Sequence, residues 1–209
     1  DAYRDMLRVA GGRERIIYFI EGLGLSAQRA QECIAEVPVI HRTKTSLYTH
    51  AVSEGEVALR CGVERLVDSA RRAELRLGIV TTTSDTNVRA LLSASPGLNA
   101  DWFDSVVTGE RSPRKKPAPD AYHDALRDLD IEPGDAVAIE DSRNGLLAAT
   151  AAGIPVVITH CQWTAHEDFT GALMVLSSLG DPELPLLPGA DRAFDWLGLA
   201  DIEEALQDA

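Results

Sequence analysis

The sequence is poor in basic residues relative to acidic ones, and this shortage restricts the partners it can have. Its 209 residues include 20 Lys and Arg against 33 Asp and Glu, which gives a formal net charge of -13 at pH 7. A broad nucleic-acid or membrane surface requires a basic footprint, so we expect neither partner. A small anionic ligand remains compatible, because it needs only a few local cations, backbone N–H groups or a metal ion.

Cysteines are few, and long apolar runs and glycine-rich nucleotide signatures are missing. The three cysteines, Cys33, Cys61 and Cys161, show no C-x-x-C spacing, which favours incidental thiols in a reducing compartment. No segment approaches the roughly 18 apolar residues of a membrane helix, and no secretory pattern opens the sequence. We therefore expect a cytoplasmic or organelle-stroma location. Nothing fixes the oligomeric state, and a monomer is the expectation.

Residues 1–57 are predicted to form a small helical domain. Apolar residues between Gly12 and Leu23 recur at the spacing of one helix face. Ser26 has the position of an N-cap for the following helix, and Pro38 is expected to kink or divide that helix. No strand pattern occurs in this part of the chain.

Residues 58–209 alternate between predicted strands and helices. Strands are predicted at 75–80, 105–108, 135–139, 154–159 and 173–176, and helices at 63–73, 86–93, 119–129 and 144–152. Such alternation predicts an α/β fold with a doubly wound parallel sheet and helices on both faces. The prolines at 182, 185 and 188 favour a surface loop in the tail.

Polar clusters follow three of these strands, at 81–84, 108–110 and 140–142. Because parallel sheets bind ligands at the carboxyl ends of their strands, we expect one active site there. Two adjacent carboxylates, Glu140 and Asp141, suit a hard cation such as Mg²⁺. The alternative is that Asp141 or Ser142 simply caps the next helix.

Several cationic and hydroxyl-bearing residues are further candidates, each with a structural alternative. Lys116, in a proline-rich turn, is placed to contact a phosphate or a carboxylate, or else belongs to a solvated loop. Residues 81–84 offer an anion site at a helix start, or a cap. Arg13 and Arg15, beside Gly12, are suited to clamp a phosphate, or to begin a solvated helix.

In order and spacing these pieces resemble the haloacid dehalogenase superfamily. A strand-end Ser or Thr, a Lys and a strand-end acidic pair are its second to fourth motifs, and they match Thr82 (with Thr81 as the second choice), Lys116 and the pair at 140–141. The phrases KPAPD at 116–120 and IEDS at 139–142 resemble the branch of β-phosphoglucomutase and the CbbY-like phosphatases. GGRER at 11–15, HRTKT at 41–45 and TTTS at 81–84 are similar to its CbbY-like members.

The resemblance implies a doubly wound core with a helical cap, and a Mg²⁺-dependent phosphatase acting on a small sugar phosphate, which for the CbbY-like members is xylulose-1,5-bisphosphate. In the family an aspartate attacks the phosphoryl group to form an aspartyl-phosphate, and a second aspartate two residues later is the acid and base. Lys116 and Thr82 would then be catalytic, and Asp141 and Glu140 would hold the metal. The remaining residues implied in phosphate or substrate binding are Thr81, Thr83, Ser84, Asn87, Gly12, Arg13 and Arg15.

The sequence departs from the family pattern at the first motif. Its only D-x-D, from Asp128 to Asp130, closes a predicted helix and follows no strand. We expect the missing Asp-x-Asp and its central strand to precede Asp1, and this chain alone to be inactive. Two alternatives stay open: a β-phosphoglucomutase-like phosphotransferase, and a non-catalytic phosphate-binding relic.

Overall fold

Every regular element that the structure describes in the first part of the chain is a helix, as its apolar spacing predicts. The computed structural model describes residues 2–186 and 194–208. Its first four helices are α1 (Ala2–Met6), α2 (Gly12–Glu21), α3 (Ala27–Ala35) and α4 (Val37–Ser53). The Ser26 side chain accepts the Arg29 N–H and caps α3. Pro38 lies in the first turn of α4, where its missing N–H costs nothing, so the prolyl residue separates two helices as predicted.

The second part alternates between helices and short strands. The helices are α5 (Val63–Arg72), α6 (Asp85–Ser93), α7 (Asp120–Leu129), α8 (Arg143–Ala151) and α9 (Leu199–Gln207). The strands are β1 (Gly78–Val80), β2 (Ser105–Val107), β3 (Ala138–Glu140), β4 (Val156–Thr159) and β5 (Met174–Leu176). The predicted α/β fold with parallel strands is confirmed. The domain boundary at residue 57 stays a prediction.

The strands form two parallel sheets. One has the order β1–β2, with Gly78 opposite Ser105, and the other has the order β3–β4–β5, with Ala138 opposite Val156. Among the described residues, β1 and β3 each pair with a neighbour on one side only.

An apolar cleft of about 790 Å³ lies between these two sheets. Residues of both β1 and β3 line it, as do side chains of α5, α7 and α9 such as Leu66, Leu129 and Ile202. The unpaired edges of β1 and β3 therefore border the same apolar space.

The predicted strand at 75–80 is too long. Residues 75–77 lie outside β1, where Leu75 is half exposed and the Arg76 guanidinium donates to the carbonyl groups of Leu129 and Asp130. Only residues 78–80 pair with β2. The apolar pattern of one segment does not show where its partner strand begins. In this protein the pairing of β1 with β2 begins at Gly78.

The tail is not simply a surface loop, contrary to the prediction from its prolines. Leu186, Leu197 and Ile202 are buried in one apolar cluster with Leu66 and Leu176. Helix α9 carries Ile202 into this cluster, and Gly198 at its start donates its N–H to the Asp201 carboxylate. Pro188 lies outside the described residues. None of the described helices has both the length and the apolarity that crossing a membrane requires.

Candidate active site

A buried ion pair lies at the carboxyl ends of β1 and β3. The Lys116 ammonium, from the loop between β2 and α7, donates to the Val80 carbonyl oxygen at 2.9 Å and to the Glu140 carboxylate. The Lys116 and Glu140 side chains are only 9% and 8% exposed. Such a pair is stable only when further hydrogen bonds satisfy it. The Tyr122 hydroxyl supplies one by donating to the same Glu140 oxygen.

The Tyr122 hydroxyl stays protonated and so continues to donate its hydrogen bond to Glu140. Burial, and after it the negative charge of Glu140, raise the pKa of its hydroxyl well above the ordinary value. Its ring also lies 5.0 Å from the Lys116 ammonium, a favourable cation–π distance. Sequence reasoning missed Tyr122, whose helical spacing in α7 marks it only as a buried residue.

The hydroxyl-rich segment after β1 is held in a turn by its own side chains. The Thr81 hydroxyl oxygen accepts the Thr83 N–H at 3.1 Å, and Ser84 caps α6 by accepting the Asn87 N–H. The Asn87 amide donates to the Thr83 hydroxyl at 2.8 Å, and its Oδ1 has no hydrogen-bond partner among the described residues. Gly109 donates its N–H to the Thr83 carbonyl at 2.7 Å and so joins this turn to the end of β2.

A pocket of about 440 Å³ opens above the strand ends. Of the residues predicted from sequence, it is lined by Thr81, Thr82, Lys116, Glu140, Asp141 and Arg15. The other predicted residues, Thr83, Ser84, Asn87, Gly12 and Arg13, are not among those that line it. The D-x-D at 128–130 also lies elsewhere, since Asp128 is engaged by Arg111 and Ser105. The roles of all these residues stay predictions.

Helices α1 to α4 and the turns between them, here called the helical segment, contribute to the wall of this pocket. Leu7, Ala10 and Arg15 line it, and the Arg15 Nε donates to the Val9 carbonyl at 3.2 Å. Gly12 lies so close to His41 that a Cβ atom there would be 2.7 Å from the imidazole Nε2. Burial, followed by Lys44 and Arg13, lowers the pKa of His41, which favours the neutral ring.

Other lining residues were not predicted. Trp163 and Glu167 come from the loop after β4, and Tyr3 from α1. The Tyr3 and Trp163 rings meet edge to face with centroids 5.5 Å apart. The Glu167 carboxylate accepts the Arg143 N–H at the start of α8. The only sequence feature that could have pointed to Trp163 and Glu167 is their position, because the loop at 160–170 also follows the end of a predicted strand.

The acidic groups of the pocket are a partial fit to a metal site. Within residues 2–186 and 194–208, no group of three or more His, Cys, Asp or Glu side chains has a metal-binding arrangement. Glu140 is already engaged by Lys116 and Tyr122, whereas the exposed Asp141 also lines the pocket. Because Mg²⁺ commonly takes one or two carboxylates and completes its shell with water and phosphate, Asp141 fits one ligand position.

Parallel strands alternate with helices, and a helical segment lies beside them. A Thr-rich turn, a buried Lys and an acidic pair lie at the strand ends. Together these features are typical of the class of haloacid dehalogenase-like folds. The chain belongs to the haloacid dehalogenase-like hydrolase family, whose pattern matches residues 19–159. This confirms the resemblance drawn from the motifs.

Its relatives include proteins named CbbY. The CbbY protein of Cupriavidus necator is 42% identical over 204 residues, which is 95% of this chain and 79% of the relative. Crystal structures of Rhodobacter sphaeroides CbbY with phosphate, and of a mutant with xylulose-1,5-bisphosphate, superpose with a TM-score of 0.74 at 42% identity, covering 84% of this chain and 76% of theirs. A β-phosphoglucomutase from Clostridium difficile has a TM-score of 0.68 over 100% of this chain and 82% of its own, but at 18% identity it shows the fold alone.

Proposed function

We propose that this protein is a Mg²⁺-dependent phosphatase that hydrolyses a small sugar phosphate, with xylulose-1,5-bisphosphate as the favoured substrate. The observation that carries the proposal is the 42% identity to CbbY proteins, one of which has been crystallised as a mutant with that bisphosphate. The placement of Lys116, Thr82 and Asp141 on one pocket is consistent with it.

The pocket residues would act mainly through charge. Lys116 lines the pocket and is itself almost fully buried, so it would be a fixed cation that neutralises phosphoryl oxygens. Thr82 would donate to one of those oxygens, and Arg15 would bind the substrate from the helical segment. Glu140 would balance the charge of Lys116 while the site is empty.

Asp141 would hold the Mg²⁺ ion, with Glu140 beside it. A bound Mg²⁺ supplies positive charge that stabilises phosphoryl oxygens during transfer. Glu167, which also lines the pocket, would contribute to its negative potential.

The nucleophile is proposed to come from a further parallel strand in the cleft between β1 and β3. Val80 borders both the cleft and the pocket, so a strand that enters parallel to β1 would end at the pocket. Such a strand would satisfy two unpaired edges and bury the apolar walls, both of which are favourable. An Asp-x-Asp at its carboxyl end would then face Lys116 and Asp141.

The test is phosphate release from pentulose and hexose mono- and bisphosphates by the protein translated from its complete reading frame, with and without Mg²⁺. We expect Mg²⁺-dependent release, with Asp141→Asn raising the Mg²⁺ concentration for half-maximal rate by about tenfold or more. Asp101→Asn, which removes the same negative charge from an exposed residue outside the pocket, is the charge-matched control. Absence of release would overturn the phosphatase proposal, and isomerised product without release would favour the phosphotransferase alternative.

A further inference from the structure

Asn144 connects the core to the helical segment at the edge of the pocket. It lies in the first turn of α8, three residues after Asp141, and its Nδ2 donates to the carbonyl oxygens of Leu7 at 3.4 Å and Arg8 at 3.1 Å. These carbonyl groups follow the end of α1. The contact spans more than 130 positions of sequence, so it joins two separate parts of the chain.

The next carbonyl group along the chain holds Arg15. Val9 accepts the Arg15 Nε–H at 3.2 Å. A guanidinium group carries five donors in a planar fork, so using Nε–H in this way fixes the plane and leaves the terminal N–H groups for an anion. Because Arg15 lines the pocket together with Asp141 and Lys116, the position of residues 7–9 determines where that fork lies.

A second contact supports the same segment. The edge-to-face packing of Tyr3 on Trp163 places α1 against the loop after β4. This contact is non-polar and tolerates small shifts, whereas the Asn144 hydrogen bonds require a donor opposite two acceptors.

We propose that Asn144 is a positioning residue that fixes residues 7–9 against the core and thereby orients Arg15 toward the substrate phosphate. The role of Arg15 rests on the proposed function, whereas the fixation of residues 7–9 does not. Asn144 also lines the pocket, and in this proposal it acts through the backbone carbonyl groups of Leu7 and Arg8.

The test compares Asn144→Asp, which keeps the shape but replaces the donor by an acceptor, with Asn99→Asp. Asn99 is exposed and its side chain accepts the nearby Asp101 N–H, a local contact, so it is a matched control. In the protein translated from its complete reading frame we expect Asn144→Asp to raise KM by about tenfold, the scale of one lost hydrogen bond to a charged group. We expect kcat to change much less, and Asn99→Asp to leave both unchanged.

Two further readouts separate positioning from a general structural effect. Amide hydrogen exchange of residues 3–12 should accelerate in Asn144→Asp but not in Asn99→Asp, and Asn144→Ser, which keeps one donor, should be intermediate. In a double-mutant cycle with Arg15→Ala, Asn144→Asp should add little to the KM increase, because both changes remove the same contact.

Unchanged KM and unchanged exchange in Asn144→Asp would overturn the proposal, as would full additivity with Arg15→Ala. If Asn144→Asp does not fold, the same criteria apply to Asn144→Ser. If the unsubstituted enzyme releases no phosphate, the proposed function fails, and accelerated exchange would still support the fixation of residues 7–9 by Asn144.

Discussion

Gly145 is the residue that leaves room for the Glu140 carboxylate. A Cβ atom at position 145 would lie 2.0 Å from Glu140 Oε2, far inside van der Waals contact. The other carboxylate oxygen is held by Lys116 and Tyr122, so the group cannot move away without breaking those contacts. A side chain at 145 is therefore incompatible with the buried ion pair.

We expect Gly145→Ala to lower the free energy of unfolding by about 1–3 kcal/mol, the usual cost of extra atoms in a packed interior. Urea unfolding followed by circular dichroism measures it. Gly134→Ala is the matched control, because a Cβ there meets nothing within 4 Å, and its effect should stay within about 0.5 kcal/mol. Equal midpoints for the two variants would contradict the steric argument.

Sequence patterns predicted which residues belong to the site, but they did not predict which of these residues contact each other. Lys116, Glu140 and Asp141 were predicted because each lies in a motif or at a strand end. That Lys116 contacts Glu140, with Tyr122 donating to the same carboxylate, depends on how α7 packs on the sheet. No local spacing encodes a contact between residues so far apart along the chain.

At the scale of secondary-structure elements, the Asp128 carboxylate of α7 binds both β2 and the loop that follows β2. Asp128 accepts from the Arg111 guanidinium at 2.5 and 2.6 Å and from the buried Ser105 hydroxyl at 2.7 Å. The Arg111 hydrogen bond first, and then that of Ser105, lower the pKa of Asp128 from 3.8 to about 2.

Because the pKa is lower in the folded state, this stabilisation is complete above the unfolded value of 3.8 and is lost as the pH falls through about 2. At pH 7 we expect Asp128→Asn to cost about 1 kcal/mol, since the partly exposed pair is screened by solvent. The difference from the unsubstituted protein should shrink between pH 4 and pH 2 in unfolding experiments.

Asp5→Asn removes the same charge from an exposed ion pair and is the control. A cost for Asp128→Asn that does not decrease at low pH would contradict this account.

Most helices and strands could be predicted because their apolar periodicity is strong. The residues at which they begin and end were predicted less well. The strand at 75–80 loses its first three residues to a loop in which Arg76 binds the end of α7. Helix α9 was missed, although Leu199 and Ile202 have helical spacing, because nearby prolines suggested a loop. Its stability comes from burial against α5 and the tail, which the local pattern does not report.

At the scale of the whole molecule, the apolar cleft between the two sheets bears on function. Its walls include Ile139, which is 38% exposed. Exposed contiguous apolar surface in a monomer usually marks a place where something binds. The resemblance of the motifs makes a further strand an expectation, and among the described residues β1 and β3 each have one unpaired edge beside this cleft.

If a strand fills the cleft in the protein translated from its complete reading frame, that protein should bind the dye ANS more weakly than residues 1–209 alone. Its urea midpoint should also be higher, because more apolar surface is buried. Leu47→Ser, which removes a 64% exposed side chain from α4, is the control and should leave the difference in dye binding unchanged. Equal dye binding by the two proteins would contradict a strand in the cleft.

The contact of Lys116 with the Val80 carbonyl has a consequence for how experiments at this position are interpreted. One ammonium group contacts the last residue of β1 and the last residue of β3, and so links the two sheets at the pocket end. Replacing Lys116 would alter the link between the sheets and the charge available to a phosphate in one step. A loss of turnover in such a variant therefore measures architecture and chemistry together, and only a structure of the variant can apportion them.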